Sequence, residues 1–359
     1  MNKVLLGDVA EEVRENYKEM DGNPAVVGLE HLIPGEIRLK EWSEDTNTTF
    51  TKAFHKGQVL FGRRRAYLKK AAVAPVDGIC SGDITVISAK QDKILPELLP
   101  FVIQNDDFFD FAVGKSAGSL SPRVKWSRLK EYEFNLPSLS QQRKLAKLLW
   151  SFVDAKEAYE DLIRQTDELV KSQFIEMFGE PSKSDEAVPL ERAFEIRDDL
   201  RKPLNDVERS QMKEGQLYPY YGANGQVDTI NDYMIDGQAL CLAEDCGAYG
   251  AGDVTSYIIK GRSWVNNHAH VLFPRKECDI EYANAFFRIL DMSEYVSGTT
   301  RLKLTQGKMK EIPVVLPPMN EQRTFADFVE QSDKSKFELN EAIKDLDAMY
   351  KRIIKDNLG

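Results

Sequence analysis

Leu136-Pro137-Ser138-Leu139-Ser140-Gln141-Gln142-Arg143 returns 180 residues later as Leu316-Pro317-Pro318-Met319-Asn320-Glu321-Gln322-Arg323. Outward from this octapeptide the same shift pairs Lys130-Glu131 with Lys310-Glu311, Gly118 with Gly298, and Gly179 with Gly359. Over the 62 positions from 118 to 179 the two copies align without a gap and share 13 identities. Far upstream, Gly57-Gln58 and Gly237-Gln238 keep the shift. Chance scatters matches over many offsets, so the 359-residue chain reads as two copies of one unit.

Each copy has the same internal order. A strand-rich half comes first, with short apolar runs at 58–61, 84–87, 239–242 and 270–273 bounded by Gly, Asp and Asn. Pro137 and Pro317 then disfavour helix in the residue before them, and a helical pattern of roughly 40 residues follows. Leu145, Leu148, Phe152, Ala155, Tyr159, Leu162, Thr166 and Leu169 alternate steps of three and four. The second copy offers Phe325, Phe328, Ser332, Ser335, Leu339, Ala342, Leu346 and Met349 in the same register. Such heptad seams bury one stripe against a partner helix, and at 1.5 Å per residue each helix would run about 60 Å. Ser140 and Asn320 are the expected N-caps.

These patterns predict an α+β chain of two tandem pseudo-symmetric units. Each unit is a mixed, strand-rich domain followed by a long helix, and the two helices pack as an antiparallel coiled coil. The expected boundaries are 1–137 and 181–317 for the domains, 138–180 and 318–359 for the helices.

No apolar run approaches the roughly 18 residues of a membrane span, and the first residues lack the apolar stretch of a secretory signal. Four cysteines spread over the chain do not make a disulfide framework, which fits a reducing, cytoplasmic setting. The formal net charge of −10 argues against nucleic acid if taken as an average. The charge is segregated, however. Residues 50–75 hold Lys52, Lys56, Arg63, Arg64, Arg65, Lys69 and Lys70 with no acid among them, whereas residues 154–186 hold ten Asp and Glu. A basic stripe beside an acidic helix suits DNA on one surface and protein on another.

The repeat, the Leu-Pro-to-Gln-Arg lead-in to each helix, and four further segments together resemble the specificity subunit of type I restriction–modification systems. Val27-Gly28-Leu29-Glu30-His31 and residues 57–70 (GQVLFGRRRAYLKK) are similar to one class of that family's target recognition domains. Residues 218–225 (YPYYGANG) and 264–270 (WVNNHAH) look like another class. The resemblance covers nearly the whole chain. It implies a non-catalytic subunit without cofactor, with two target recognition domains that each bind one half of a split double-stranded DNA sequence. The long helices would form the spacer and dock two adenine-N6 methyltransferase subunits, and restriction subunits would join that core. A spacer of this kind turns helix length into half-site spacing, so inserting heptads near Thr166 is expected to change the sequence recognised.

Phosphates supply affinity and base edges supply specificity. In the first copy Arg63, Arg64, Arg65, Tyr67, Lys69 and Lys70 form the densest basic-aromatic patch, and Arg123, Lys125 and Arg128 add a second strip ahead of the helix. Arginine can grip guanine O6 and N7 with both arms of its fork, or a phosphate. The second copy is chemically different. Tyr220, Tyr221 and Asn224 lie in a Gly-punctuated segment, Asn266, Asn267 and His268 precede a strand, and Arg301 and Lys303 repeat the basic strip. Asparagine can pair bidentately with adenine. Different loops imply different half-sites and an asymmetric target. Off the seam, Trp150, Phe174, Ile175, Phe178, Phe337, Tyr350 and Ile354 are the expected docking anchors for methyltransferase subunits.

Enzymatic readings find little support. Asn135-Leu136-Pro137-Ser138 lacks the second proline and the aromatic of an adenine methyltransferase motif, and Gly247–Gly252 (GAYGAG) would open a strand rather than a helix. Asp154-Ala155-Lys156 is nuclease-like only in spelling, because it lies in the helical heptads. Cys241, Cys246, His268 and His270 lack the pair spacing of a structural zinc site. The alternative from another class is a coiled-coil scaffold, which has no need of two basic strips at one offset.

Overall fold

A computed structural model describes residues 2–17, 24–184, 187–299 and 302–359. Contacts divide the chain into two compact units, residues 1–160 with 340–359 and residues 161–339. Each unit therefore takes part of both long helices, the first spanning Leu139–Phe178 and the second Met319–Leu358.

In the first unit a four-stranded sheet runs in the order Ala10–Val13, Ile84–Ala89, Val59–Gly62, Ala71–Val73. In the second unit the first four strands of a six-stranded sheet repeat this order with Phe194–Ile196, Ala269–Pro274, Ile235–Ala243 and Ser256–Val265. The ladder partners match as well: Leu60 faces Val86 as Cys241 faces Val271. The runs read as strands are strands, because their β-branched and aromatic residues pack on a pleated, half-buried surface. Gly57-Gln58 and Gly237-Gln238 are one residue out of equivalence, since the bonds from Arg63 N–H to Asp83 O and from Glu244 N–H to His268 O match the central strands at a shift of 181.

One difference has a local cause. The second unit keeps a single ten-residue strand, Ser256–Val265, where the first has Ala71–Val73 and Gly78–Cys80. Pro75 lies in the gap, and a proline cannot donate to a ladder. The first unit accordingly splits off a separate three-stranded sheet, and the second extends one sheet with the hairpin Tyr218–Gly222 and Gly225–Ile230.

The repeated octapeptide has a structural job. Gln142 is buried; its Oε1 accepts from the Leu95 amide (3.0 Å), and its Nε2 donates to the carbonyls of Pro137 (3.0 Å) and Lys93 (3.3 Å). Gln322 repeats this with the Asp279 amide and the Pro317 and Glu277 carbonyls, all at 2.8 Å. Each glutamine ties the lead-in and a preceding segment of its domain to the start of a long helix. The helices begin at Leu139 and Met319, one residue ahead of the expected caps, so Ser140 and Asn320 lie in the first turn.

Within each unit the two long helices run antiparallel. In the first, Lys156 pairs with Asp347 (3.3 Å) while Trp150 and Tyr350 both pack on Phe101. In the second, Lys336 pairs with Asp167 (2.6 Å), and Phe174 and Phe178 further along meet Phe325. The two ion pairs are one pair under the 180-residue shift.

The structure buries part of the expected seam. Leu145 and Phe325 are buried, and Phe152, Tyr159, Leu339 and Leu346 are half-buried along the stripe. Leu148, Leu162, Leu169 and Met349 are exposed, at 44, 46, 53 and 54 %. Their neighbours Leu149, Ile163, Val170 and Tyr350 take the inward positions, as Val329 does beside a half-buried Phe328. The sequence carries adjacent apolar residues at these points, and a three-four pattern accepts either.

Of the expected docking anchors, Phe174, Phe178 and Ile354 are buried in the unit cores. Trp150 donates its indole N–H to the Glu97 carbonyl (2.9 Å) and stacks under Arg38. Ile175 and Tyr350 are half-buried, and Phe337 alone of the seven is exposed. Close helix–domain packing absorbs aromatics that periodicity leaves off the seam.

Candidate nucleic-acid interface

The basic stripe of the first unit leaves the central strand Val59–Gly62 and turns back through a short 3-10 helix, Ala66–Leu68. Arg65 opens and Lys69 closes that turn in the left-handed region (φ 54° and 52°), the only non-glycine residues with positive φ among those described. Such a backbone costs about 1 kcal/mol or more per residue and concentrates at functional loops. With Ala66 buried, Tyr67 and Leu68 project outward.

The second basic strip, distant in sequence, meets this turn directly. Arg64 and Arg123 form a β-bridge, the Arg65 amide donates to the Pro122 carbonyl (2.8 Å), and Val124 donates to the Arg63 carbonyl (3.0 Å). Asp83 sits beneath. It accepts both arms of Arg123 (2.7 and 3.1 Å) and lies 3.5 Å from Arg64. The Arg123 hydrogen bond holds the Asp83 carboxyl below its ordinary pKa against the opposing effect of partial burial. Arg63 is half-buried with its Nε unpartnered, while Arg65 and Lys125 are exposed with no carboxylate beside them among the described residues. Three arginines around one aspartate, with two free cations at the rim, make an anion-seeking surface.

Not every candidate is free for a ligand. Lys70 donates to the Leu29 carbonyl (2.7 Å), joining residues 57–70 to the Val27–His31 segment, and Lys69 pairs with Asp106. Arg128 lies 3.4 Å from Glu131.

In the second unit Tyr220 is core, 1 % exposed against Ile230 and Trp264, and its hydroxyl accepts from the Leu204 amide (3.1 Å). Strand alternation sends one of two neighbouring tyrosines inward. Tyr221 is half-buried and stacks on Tyr257 (5.6 Å). Asn266 is also buried and spends its Oδ1 on the His268 amide (2.8 Å). Asn224, at the hairpin tip, and Asn267 are exposed. His268 faces Asp245 (2.9 Å), and Lys303 pairs with Glu244 (2.7 Å). Arg301 lies outside the described residues. His270 is fully buried between Asp198 (2.8 Å) and the Leu304 carbonyl (2.9 Å). Among the described residues no cluster is arranged to hold a metal.

Matched backbone bonds show that the two clusters occupy one place in the repeated fold. Arg63 N–H to Asp83 O (2.9 Å) corresponds to Glu244 N–H to His268 O (2.8 Å). Val124 N–H to Arg63 O corresponds to Leu304 N–H to Glu244 O (2.8 Å). The Ala117–Arg123 bridge corresponds to Ser297–Lys303, and the Ser81-to-Asp83 turn to Asn266-to-His268. Sequence reading missed Asp83, Glu244 and Arg201 as hubs. The turn signature shared by Ser81-Gly82-Asp83 and Asn266-Asn267-His268 was the available signal.

The description "Type I restriction modification DNA specificity domain" matches the chain twice, over residues 6–165 and 194–346. The chain belongs to that family. Members similar to it include a putative type I restriction enzyme specificity subunit of Haemophilus influenzae, 30% identical over 137 residues. A second is the EcoDI specificity subunit of Escherichia coli, 28% identical over 145 residues. These alignments cover 37% and 38% of the chain and only 34% and 31% of the two relatives, so the chain spans about a third of the length of the curated relatives it matches. Among solved structures, the type I restriction–modification S subunit from M. genitalium has the same fold, with a TM-score of 0.58 at 14% identity over 100% of this chain and 96% of that one. A chain from a study of assembly and conformational transition in the type I R-M system gives 0.59 at 18% identity over 99% and 97%. The specificity-domain family is thus present in both units, each with its own loop cluster.

Proposed function

We propose that this chain selects the DNA sequence on which other subunits act and performs no catalytic step itself. Residues 1–137 and 181–317 are its target recognition domains, and 138–180 and 318–359 its spacer helices. Each domain reads one half of a bipartite, asymmetric double-stranded target. The assembly acts in the cytoplasm, where two adenine-N6 methyltransferase subunits and the restriction subunits are directed to that target. The observation that carries this reading is the loop cluster held at the same place in both units by the same backbone bonds, yet lined by different side chains. Repetition of a frame with variation of its loops suits a chain that recognises two different sites of one kind.

The test is co-expression with a partner methyltransferase followed by single-molecule sequencing for N6-methyladenine. A split motif should appear. Replacing Arg65 and Lys125 should weaken or alter one half of it, and replacing Asn224 and Asn267 the other. A soluble complex that binds no duplex DNA and methylates nothing would sink the proposal in favour of a scaffold.

A further inference from the structure

Among the described residues, the loop cluster shared by the two units carries opposite charge in each. The matched backbone bonds put Arg63 where the second unit has Glu244, and the chain continues from there as Arg64-Arg65 in one unit and Asp245-Cys246 in the other. Asp83 corresponds to His268, and Arg123 to Lys303. The same imbalance extends over whole units. Residues 1–160 with 340–359 contain 27 Lys and Arg against 27 Asp and Glu, a formal charge of zero. Residues 161–339 contain 21 against 31, which is the entire −10 of the chain.

Among the described residues, the cations of the second cluster, Lys303 and Arg201, are already neutralised. Glu244, nearly buried, takes Lys303 at 2.7 Å and also binds Arg201, which in turn lies 3.2 Å from Asp198. Such side chains have little attraction left for phosphate, and contact there would release few counterions. In the first cluster Arg65 and Lys125 are exposed and unpaired among the described residues, and Asp83 alone balances three arginines.

We propose that the first unit supplies the phosphate grip of the chain, and that the second reads its half-site through uncharged groups, Asn224 and Asn267 among them, with little net phosphate neutralisation. This rests on the DNA-selecting role above. The two halves of the target then depend on salt differently: contacts to one are electrostatic, and contacts to the other are largely insensitive to ionic strength.

The experiment uses the full chain in complex with its co-expressed methyltransferase and a fluorescent duplex of unrelated sequence. Affinity is measured by anisotropy across a series of potassium chloride concentrations. Each phosphate contact contributes about 0.9 to the slope of log affinity against log salt. Arg65→Ala with Lys125→Ala should lower that slope by about 1 to 2, whereas Lys303→Ala with Lys308→Ala, exposed cations of the second unit already paired with Glu244 and Glu311, should leave it unchanged. All four side chains are exposed, so the fold should survive, which a thermal melt verifies. An equal fall in both variants, a larger fall in the second, or no fall in the first overturns the division of labour. A wild-type complex that does not bind duplex at all removes the DNA-selecting role itself, and the inference with it.

Discussion

Replacing Gln142 by leucine removes one buried amide that satisfies three backbone groups: the buried Pro137 carbonyl, and the part-buried Leu95 N–H and Lys93 carbonyl. A typical hydrogen bond contributes a net 0.5–1.5 kcal/mol, and a buried group left without a partner costs roughly 1–3 kcal/mol. The Lys93 bond is long, at 3.3 Å, so two strong bonds carry most of the effect, and a loss of about 3 kcal/mol is expected for the first unit. Gln322→Leu breaks the same three contacts at 2.8 Å in the second unit and should cost as much or slightly more. The assay is hydrogen exchange read unit by unit, because a chain of two compact units need not unfold in one step. Leu95 should lose protection in the first variant and Asp279 in the second. If both variants lose less than about 1 kcal/mol, the glutamines are not the fasteners described and the repeat owes its Leu-Pro-to-Gln-Arg motif to something else.

Two further outcomes follow from packing and charge. Leu149→Ala, at a fully buried position, should cost about 2–5 kcal/mol, while Leu148→Ala, one residue away and exposed, should stay within about 0.5 kcal/mol; denaturant midpoints that rank them the other way would return the seam to its sequence-derived register. His55 has its pKa raised by hydrogen bonds to Asp77 and then Glu15. A raised folded pKa means that this contribution is complete below the unfolded value of about 6.5 and fades as pH rises through the folded one. The melting temperature of the first unit should therefore fall between pH 6 and 8.5 by more in the wild type than in His55→Gln, and equal slopes would count against the pairing.

Much of the fold is legible in the sequence alone. The 180-residue repeat, the strand-then-helix order and the two 40-residue helices rest on identities and periodicities between near neighbours. Local geometry is enough to express those, since a helix repeats every 3.6 residues and a strand every two. The basic stripe at 63–70 and the polar turn at 266–268 were equally visible as runs.

Tertiary structure decided what depends on partners remote in the chain. Leu148 and Leu149 are both leucines, and only the core of the first unit determines which one is buried. Tyr220 and Tyr221 are likewise alike until Leu204, Ile230 and Trp264 close over one of them. Asp83 became the hub of Arg64 and Arg123 through a bridge between segments about 20 to 60 residues apart. The reversal of charge at matched loops could not be read from the sequence, because the constant 180-residue shift does not hold through the strands before 117. The sequence by itself determined which elements form and that they form twice. Only packing across the chain determined which faces turn inward and which charges remain unpaired, because burial and pairing belong to contacts that no local pattern contains.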